Sequence, residues 1–256
     1  MPSVFIGHGS PMNTIESNRF TEAWQQLGQS LPKPRAILAI SAHWYINAIA
    51  VTSMKAPRTI HDFSGFPDEL FAFQYNAPGD PDLAQRVSEL LAPRSVFSDD
   101  SQWGLDHGTW SVLAHLYPDA NIPVVQLSIN ASLPMSDHMN IGRQLSPLCD
   151  EGVLILGSGN VVHNLSRINW GAGETGHEWA NRFDEHVAHV METSPSSLHE
   201  LARHPDWNAA VPTPEHFLPL AYITGIALER DVPISKFNDA RMLGSLSMTS
   251  YIVGKL

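Results

Sequence analysis

Residues 36–44 read AILAISAHW, in which five apolar residues pass directly into polar residues and a histidine. Three comparable runs occur elsewhere, at Ser3–Ile6, Ile122–Ile129 and Val153–Leu156. Each run has the length of a β-strand, and continuous apolar runs are typical of parallel strands that are covered on both faces. We therefore expect these four segments to be strands of a buried sheet.

Helical patterns lie between these predicted strands. An alternation of strands and helices favours an α/β fold. Because no internal repeat, low-complexity tract or linker interrupts the chain, we expect residues 1–256 to form a single domain. Its central sheet is predicted to be largely parallel or mixed and to be flanked by helices. The predicted helices are Phe20–Leu27, Pro81–Leu91, Thr109–Leu116, Asp137–Cys149 and Glu178–Met191.

The composition argues against several classes of protein. The chain of 256 residues carries 26 acidic and 15 basic side chains, so its formal net charge is −11. Binding to nucleic acid or to an anionic membrane needs a basic surface, so we expect neither partner. The single cysteine, Cys149, excludes an intramolecular disulfide and a cysteine-rich zinc or iron–sulfur site. With no signal segment and no bilayer-spanning apolar run, we expect a cytoplasmic location.

Histidine is unusually abundant, with 13 residues scattered from His8 to His216. Three of them, His8, His43 and His163, lie at or shortly after the ends of predicted strands. In open α/β sheets ligands bind outside the carboxyl ends of the strands, and imidazole is a common metal ligand. The pattern predicts a metal site at the strand ends. The competing interpretation is that these histidines face water or bond to the backbone.

Two further segments combine a histidine with features of a binding site. Residues 103–110, WGLDHGTW, place His107 between tryptophans, which suits a flat apolar ligand or a loop packed by its own aromatic residues. Residues 212–217, PTPEHF, place Glu215 beside His216 ahead of an apolar helical stretch. The pattern predicts both residues in the first turn of that helix. The alternative is a glutamate that stabilises the helix N-terminus beside a histidine in solvent.

Other chemistries find less support in the sequence. Residues 157–160 read GSGN, which lacks the spacing of a dinucleotide-binding turn, the lysine of a P-loop and the length of a nucleophile elbow. Most of the remaining histidines, His138 among them, are predicted to lie on the surface. In the segment HDF at 61–63, Asp62 and Phe63 are also predicted to lie on the surface, whereas His61 is predicted to be the exception.

Seven motifs, in order along the chain, give it a resemblance to a known family. They are HGSP (8–11), SAHW (41–44), TIHDFSGFP (59–67), WGLDHGTW (103–110), SGNVVHN (158–164), PTPEHFLPL (212–220) and GSLSM (244–248). Together they resemble the class III extradiol ring-cleavage dioxygenases, and within that family the 4,5-DOPA dioxygenase extradiol group. The resemblance extends from Pro2 to Met248.

The resemblance implies an α/β fold with one non-haem Fe(II) at the strand ends, where a DOPA-like catechol is opened next to its diol with O2. It implies that His8, His43 and His216 are metal ligands. Glu215 is the competing candidate for the third ligand. Broader members of the family use two histidines and a glutamate, so ligation by His216 would depart from that pattern.

The resemblance also implies roles for two more histidines. His163 is expected to act as an acid and base beside the metal and to contact a bound zinc, and His107 is expected to lie near the substrate. Because Zn(II) binds histidine-rich sites tightly, we expect it in the isolated protein. The alternatives are a zinc-dependent hydrolase that uses the same histidines and a metal-binding domain without activity. The sequence predicts no particular oligomeric state.

Overall fold

Eight of ten strands join in one mixed sheet in the computed structural model, which describes residues 1–256. The other two pair as a short antiparallel ribbon. The strands are β1 (Ser3–Gly7), β2 (Ala36–Ile46), β3 (Ala50–Thr52), β4 (Phe97–Asp99), β5 (Val124–Asn130), β6 (Val153–Gly159), β7 (Ile234–Phe237), β8 (Arg241–Met242), β9 (Leu246–Ser247) and β10 (Ser250–Val253).

The centre of the large sheet is parallel. The strands run in the order β4-β3-β5-β2-β6-β1-β10-β7, and the central strands β5, β2, β6 and β1 pair in parallel. Antiparallel pairs join β10 to β1 and β7, and β3 to β5. The four strands predicted from apolar runs form this parallel centre. The predicted α/β fold with a largely parallel or mixed sheet is therefore confirmed.

Nine α-helices and three 3-10 helices connect the strands. The prediction of one helix over Asp137–Cys149 is wrong, because the structure divides it at Ser146. Pro147 has no amide hydrogen to continue the helical hydrogen bonding. The α-helices are α1 (Arg19–Ser30), α2 (Asp68–Ala72), α3 (Pro81–Leu91), α4 (His107–Leu116), α5 (Met135–Leu145), α6 (Pro147–Asp150), α7 (Glu178–Thr193), α8 (Trp207–Ala210) and α9 (Leu218–Arg230). The 3-10 helices are Pro11–Thr14, Leu165–Arg167 and Pro195–Arg203.

Both faces of the sheet are covered by helices. In β2, Leu38 and Ile40 pack into a hydrophobic cluster with side chains of α5, α7 and α9. Ile37 and Ala39 of the same strand pack into a second cluster with side chains of α1 and α4. All four residues are fully buried. A strand covered on both faces has no side for polar residues, so only its ends can present polar groups to a ligand.

One histidine predicted on the surface lies in the core. His138 of α5 is fully buried, and its Nδ1 atom lies 2.8 Å from the hydroxyl oxygen of Tyr222 in α9. The sequence prediction is wrong here because the partner is distant in the chain and leaves no local signal. None of the helices combines the length and apolar surface that a bilayer crossing requires.

Candidate metal centre

Five imidazole rings meet at the carboxyl ends of β1, β2 and β6. The ring centroids of His8 and His43 lie 5.2 Å apart, and the ring of His216 lies 5.4 Å from the first and 5.1 Å from the second. His107 lies 3.9 Å from His43, and His163 stacks on His216 at 3.5 Å. The structure thus brings together all five histidines that the sequence analysis selected for the site.

Two adjacent parallel strands place His8 and His163. His8 directly follows β1, and its amide donates a hydrogen bond to the carbonyl of Gly159 at the end of β6. His163 comes four residues after β6 and forms an isolated β-bridge with Leu246 near the C-terminus. Both histidines therefore lie at strand ends, where the sequence analysis placed them.

His43 lies inside a strand, whereas the sequence analysis placed it after the apolar run Ala36–Ile40. Strand β2 continues to Ile46, and its pairing with β5 shifts register between Ile40 and Tyr45. His43 falls within this irregular stretch. The apolar pattern ends at Ile40 because the residues of β2 after it still pair in the sheet but are no longer part of the continuous apolar run.

Glu215 and His216 lie in a turn before α9, so their predicted place in the first helical turn is wrong. Helix α9 begins at Leu218. The carbonyl of His216 accepts a hydrogen bond from the amide of Asn160 at 2.8 Å, so this turn is bonded to the end of β6 as well as to the start of α9. A side chain at Gly159 would collide with that carbonyl, which explains the glycine there.

The ring of His8 is oriented by Ser158 of β6. The Ser158 hydroxyl donates to the carbonyl oxygen of Gly108, and its oxygen lies 2.9 Å from Nδ1 of His8. Because the hydroxyl has a single hydrogen, its oxygen accepts from His8, and Nδ1 of that ring carries the hydrogen. The Nε2 atom of His8 is left with a free lone pair.

One carboxylate orients two more rings. Oδ1 of Asp62 accepts hydrogen bonds from the amide and from Nδ1 of His107, each at 2.9 Å. Its Oδ2 lies 3.1 Å from Nδ1 of His43. Burial alone would raise the pKa of Asp62, but the hydrogen bonds from the two histidines hold it well below its ordinary value. Both imidazoles therefore donate from Nδ1 to an ionised carboxylate.

The ring of His216 contacts a different carboxylate, that of Glu215. Oε1 of Glu215 lies 3.2 Å from Nδ1 of His216 and accepts a hydrogen bond from the hydroxyl of Thr213 at 2.7 Å. The imidazole of His216 is buried. Its Nδ1 is the hydrogen-bonding atom, so Nε2 is again the nitrogen available to a ligand.

His163 differs from the other four histidines. Its ring stacks on His216 with an angle of 5° between the planes, and it makes no hydrogen bond to another side chain. Burial, followed by the nearby His43, lowers its pKa to about 4. This imidazole is therefore neutral at pH 7 and free to accept a proton.

Burial keeps most of the cluster uncharged. It lowers the pKa of His8 and His216 well below the ordinary value, and repulsion between the histidines acts in the same direction. Burial also lowers the pKa of His107. For His43 burial is again the largest single effect and lowers the pKa, but the hydrogen bond to Asp62 and the negative charges of nearby carboxylates together outweigh it and raise the pKa. Neutral imidazole is the form that binds a metal ion.

The facing nitrogens of His8 and His43 fit a metal ion. Their Nε2 atoms lie 3.4 Å apart, and in the neutral rings both carry lone pairs because Nδ1 carries the hydrogen. Two nitrogens at about 2.1 Å from one metal ion, at roughly 90–110° to each other, are separated by about 3.0–3.4 Å. Ligand atoms lie within 4.8 Å of one another in two sets, His8 with His43 and His107, and His163 with Glu215 and His216.

Aromatic side chains adjoin the histidines. Phe63 contacts the ring of His107 edge-on at 5.5 Å between centroids. Trp44, next to His43, stacks on Trp103 at 5.5 Å with nearly parallel planes. These rings surround the centre with flat apolar surface of the kind that aromatic ligands contact.

Sequence reasoning missed Asp62 and the role of Ser158. Asp62 was assigned to a surface segment, although it bonds to two of the selected histidines. A signal was present, since Asp62 lies in one of the seven motifs and a carboxylate is a frequent partner of ligating histidines. Ser158 lies in the segment GSGN, which the sequence analysis considered as a nucleophile elbow and found too short.

The chain is similar to known proteins over nearly its whole length. Residues 3–247 match the model of a family described as the catalytic LigB subunit of aromatic ring-opening dioxygenase. A protein from Escherichia coli (strain K12) named 4,5-DOPA dioxygenase extradiol is 48% identical over 99% of this chain and 95% of its own length. A protein of the same name from Beta vulgaris is 41% identical over 89% of this chain and 87% of its own length.

A solved structure is similar over the same extent. The crystal structure of an uncharacterized protein from Escherichia coli K12 matches with a TM-score of 0.85 and 42% sequence identity. The match covers 99% of this chain and 100% of the other. The match therefore extends over nearly the whole length of both chains.

Proposed function

The chain belongs to the family of the catalytic LigB subunit of aromatic ring-opening dioxygenases, and from this premise we propose that it is a non-haem Fe(II) extradiol dioxygenase for a DOPA-like catechol. In this reaction a ring bond next to the diol breaks and both atoms of O2 enter the product, so no further reductant is needed. The observation that carries the proposal is the 3.4 Å separation of the His8 and His43 Nε2 atoms.

In this proposal the metal is held by His8, His43 and His216. Each has Nδ1 hydrogen-bonded to a fixed partner, which leaves Nε2 for the metal. The choice of His216 over Glu215 is supported by the position of the Glu215 carboxylate, whose Oε1 accepts hydrogen bonds from Nδ1 of His216 and from the hydroxyl of Thr213. Three protein ligands leave coordination positions open for substrate and O2. The same donors would bind Zn(II) in the isolated protein.

When bound, Fe(II) supplies a cationic centre that favours ionisation of the catechol and brings O2 next to the ring. The imidazole of His163 takes the proton from a catechol hydroxyl, because that ring is neutral at pH 7 and makes no hydrogen bond to another side chain. The same imidazolium then returns that proton to an oxygen of the ring-opened product. A contact between His163 and a bound zinc is compatible with its stacking on His216.

His107 acts beside the substrate in this account. Its Nδ1–H is held by Asp62, so its Nε2 is directed away from that carboxylate and can accept a hydrogen bond from the diol. Phe63, edge-on to His107, would contact the face or edge of the catechol. We assign residues 1–256 to one catalytic domain, because the large sheet draws strands from both ends of the chain.

The DOPA-like substrate is supported by the names of the two relatives described above. The test is to load the metal-free protein anaerobically with Fe(II), Mn(II) or Zn(II) and to measure O2 uptake with L-DOPA, protocatechuate and unsubstituted catechol. We expect uptake with Fe(II), greatest with L-DOPA, together with a new absorbance from the ring-opened product. A variant with both His8→Gln and His43→Gln is the control for free metal and should show none.

Three outcomes would contradict the proposal in whole or in part. The absence of O2 uptake with any catechol and either redox-active metal would exclude a dioxygenase of this kind. Zn(II)-dependent hydrolysis of an ester by the same protein, without O2 uptake, would favour the hydrolase instead. Uptake that is faster with protocatechuate than with L-DOPA would leave the reaction in place but reject the substrate.

A further inference from the structure

Asp62 joins two imidazoles that have different tasks in the proposed reaction. Its Oδ2 lies 3.1 Å from Nδ1 of His43, a proposed metal ligand, and its Oδ1 accepts from Nδ1 of His107, which lies beside the substrate. The two rings are close, with 3.9 Å between centroids. One rigid carboxylate therefore sets the orientation of both.

The backbone around Asp62 is fixed by the loop that leads into α4. The amide of Ile60 donates to the carbonyl of Leu105 at 2.7 Å, and the indole of Trp110 donates to the carbonyl of Ile60 at 2.8 Å. Asp62 in turn accepts from the amide of His107. The carboxylate and the histidine-bearing loop thus hold each other in place.

We propose that Asp62 is a positioning residue that fixes His43 and His107 in the tautomer with hydrogen on Nδ1 and a free lone pair on Nε2. The inference rests on the proposed function for its effect on turnover, but its effect on the rings is independent of any reaction. A carboxylate suits this task because both of its oxygens accept hydrogen bonds. The outer partners of ligating histidines orient the ring and fix the tautomer in this way.

The variant Asp62→Asn tests the tautomers directly. A carboxamide has the same shape but offers one accepting oxygen and one donating NH2 group. One of the two histidines must then face the NH2 group with a bare Nδ1, and its hydrogen moves to Nε2. This places a hydrogen on the nitrogen that faces either the metal or the substrate.

The first measurement is a long-range 1H–15N correlation spectrum of the metal-free protein at pH 8.5, with histidine labelled in 15N. Signals of the two rings are assigned from His43→Gln and His107→Gln. We expect hydrogen on Nδ1 of both rings in the parent protein and hydrogen on Nε2 of one ring in Asp62→Asn. Two unchanged rings in Asp62→Asn would overturn the proposal.

The second measurement compares metal affinity and turnover. We expect Asp62→Asn to weaken Zn(II) binding, measured by competition with a chromophoric chelator, or to lower kcat with Fe(II), by about 10- to 100-fold, with little change in KM. Asp68→Asn, an exposed carboxylate in α2 of the same segment, is the matched control and should change neither. Equal losses in the two variants, or none in Asp62→Asn, would overturn the proposal.

The two claims can fail separately. If the parent protein shows no O2 uptake with any catechol, the proposed function fails. A tautomer change with weaker Zn(II) binding in Asp62→Asn would still support the positioning role. If the parent protein opens catechols and Asp62→Asn matches it in kcat, affinity and spectrum, the proposed function stands and the positioning role is rejected.

Discussion

The Nε2 atom of His8, directly after β1, lies 3.4 Å from the Nε2 atom of His43, in the irregular stretch of β2. Each ring is hydrogen-bonded through its Nδ1 atom, that of His8 to Ser158 and that of His43 to Asp62. When both rings are neutral, both nitrogens therefore carry lone pairs that face one another. A cation between them removes their repulsion, and the surrounding histidines can complete its coordination.

Ser158→Ala should weaken metal binding. The substitution removes the acceptor that keeps hydrogen on Nδ1 of His8, so the ring can rotate or change tautomer. We expect Zn(II) affinity to fall by about 10- to 100-fold, as measured by chelator competition. Stability should also fall, by about 1–3 kcal/mol, because the hydrogen bond to the Gly108 carbonyl is lost.

Ser128→Ala is the matched control for that variant. Ser128 is also fully buried in the sheet and bonds to backbone groups of residues 48 and 50, away from the histidines. Urea unfolding should show a similar loss of stability, whereas the Zn(II) affinity should stay at the parent value. Parent affinity in Ser158→Ala would mean that the serine does not orient His8.

His163→Gln should separate catalysis from metal binding. Glutamine preserves much of the side-chain volume but cannot exchange a proton near neutral pH. We expect kcat with Fe(II) and L-DOPA to fall by about 100-fold or more, while Zn(II) affinity falls less than it does in His216→Gln. Steady-state O2 uptake and chelator competition measure the two quantities. A kcat close to that of the parent protein would remove His163 from the proton transfer.

Phe63→Ala should act on substrate binding. Loss of an aromatic contact with the catechol is expected to raise KM by about 2- to 10-fold, corresponding to about 0.5–1.5 kcal/mol. The affinity for Zn(II) should not change. Phe97→Ala, which removes a largely exposed ring on the edge strand β4, is the comparison and should leave KM unaltered. An unchanged KM in Phe63→Ala would place the substrate elsewhere.

The buried pair of His138 and Tyr222 predicts a pH dependence of stability. Burial lowers the pKa of His138 to about 4 in the folded protein, against about 6.5 in an unfolded chain. Between these values the unfolded state binds more protons, so the free energy of unfolding falls as the pH falls below 6.5. This one residue should contribute a loss of about 2 kcal/mol between pH 7 and pH 5.

Urea unfolding of the parent protein and of His138→Gln at the two pH values checks this contribution. The variant should lose less stability on acidification than the parent protein, since the other buried histidines are common to both. His199→Gln, at an exposed position, should behave as the parent protein does. Equal pH dependence in the parent and His138→Gln would show that His138 does not titrate as described.

The sheet and the family were predictable because their signals are local. Val153–Leu156 and the runs like it are continuous in sequence, and polar residues follow them where the strands end. The family followed from short motifs that keep their order, and the match to the LigB model confirms it. The turn at Glu215 and His216 was misplaced because a hydrogen bond to Asn160, distant in the chain, decides its conformation.

The partners of the histidines were not predictable in the same way. Asp62 lies in one of the seven motifs, but the motif does not name its partners, because its interactions with His43 and His107 connect three separate segments of the chain. The pairing of His138 with Tyr222 depends on the contact between α5 and α9 and is equally non-local. Side chains that bond across the fold become visible only when the segments are assembled.

The most direct test of the central claim is the identity of the product. The protein is loaded anaerobically with Fe(II), mixed with L-DOPA and O2, and assayed for O2 consumed and for product mass. We expect one O2 consumed for each catechol and a product whose mass is the sum of the two. A product that has lost two hydrogens and gained no oxygen, as in simple oxidation to a quinone, would contradict it.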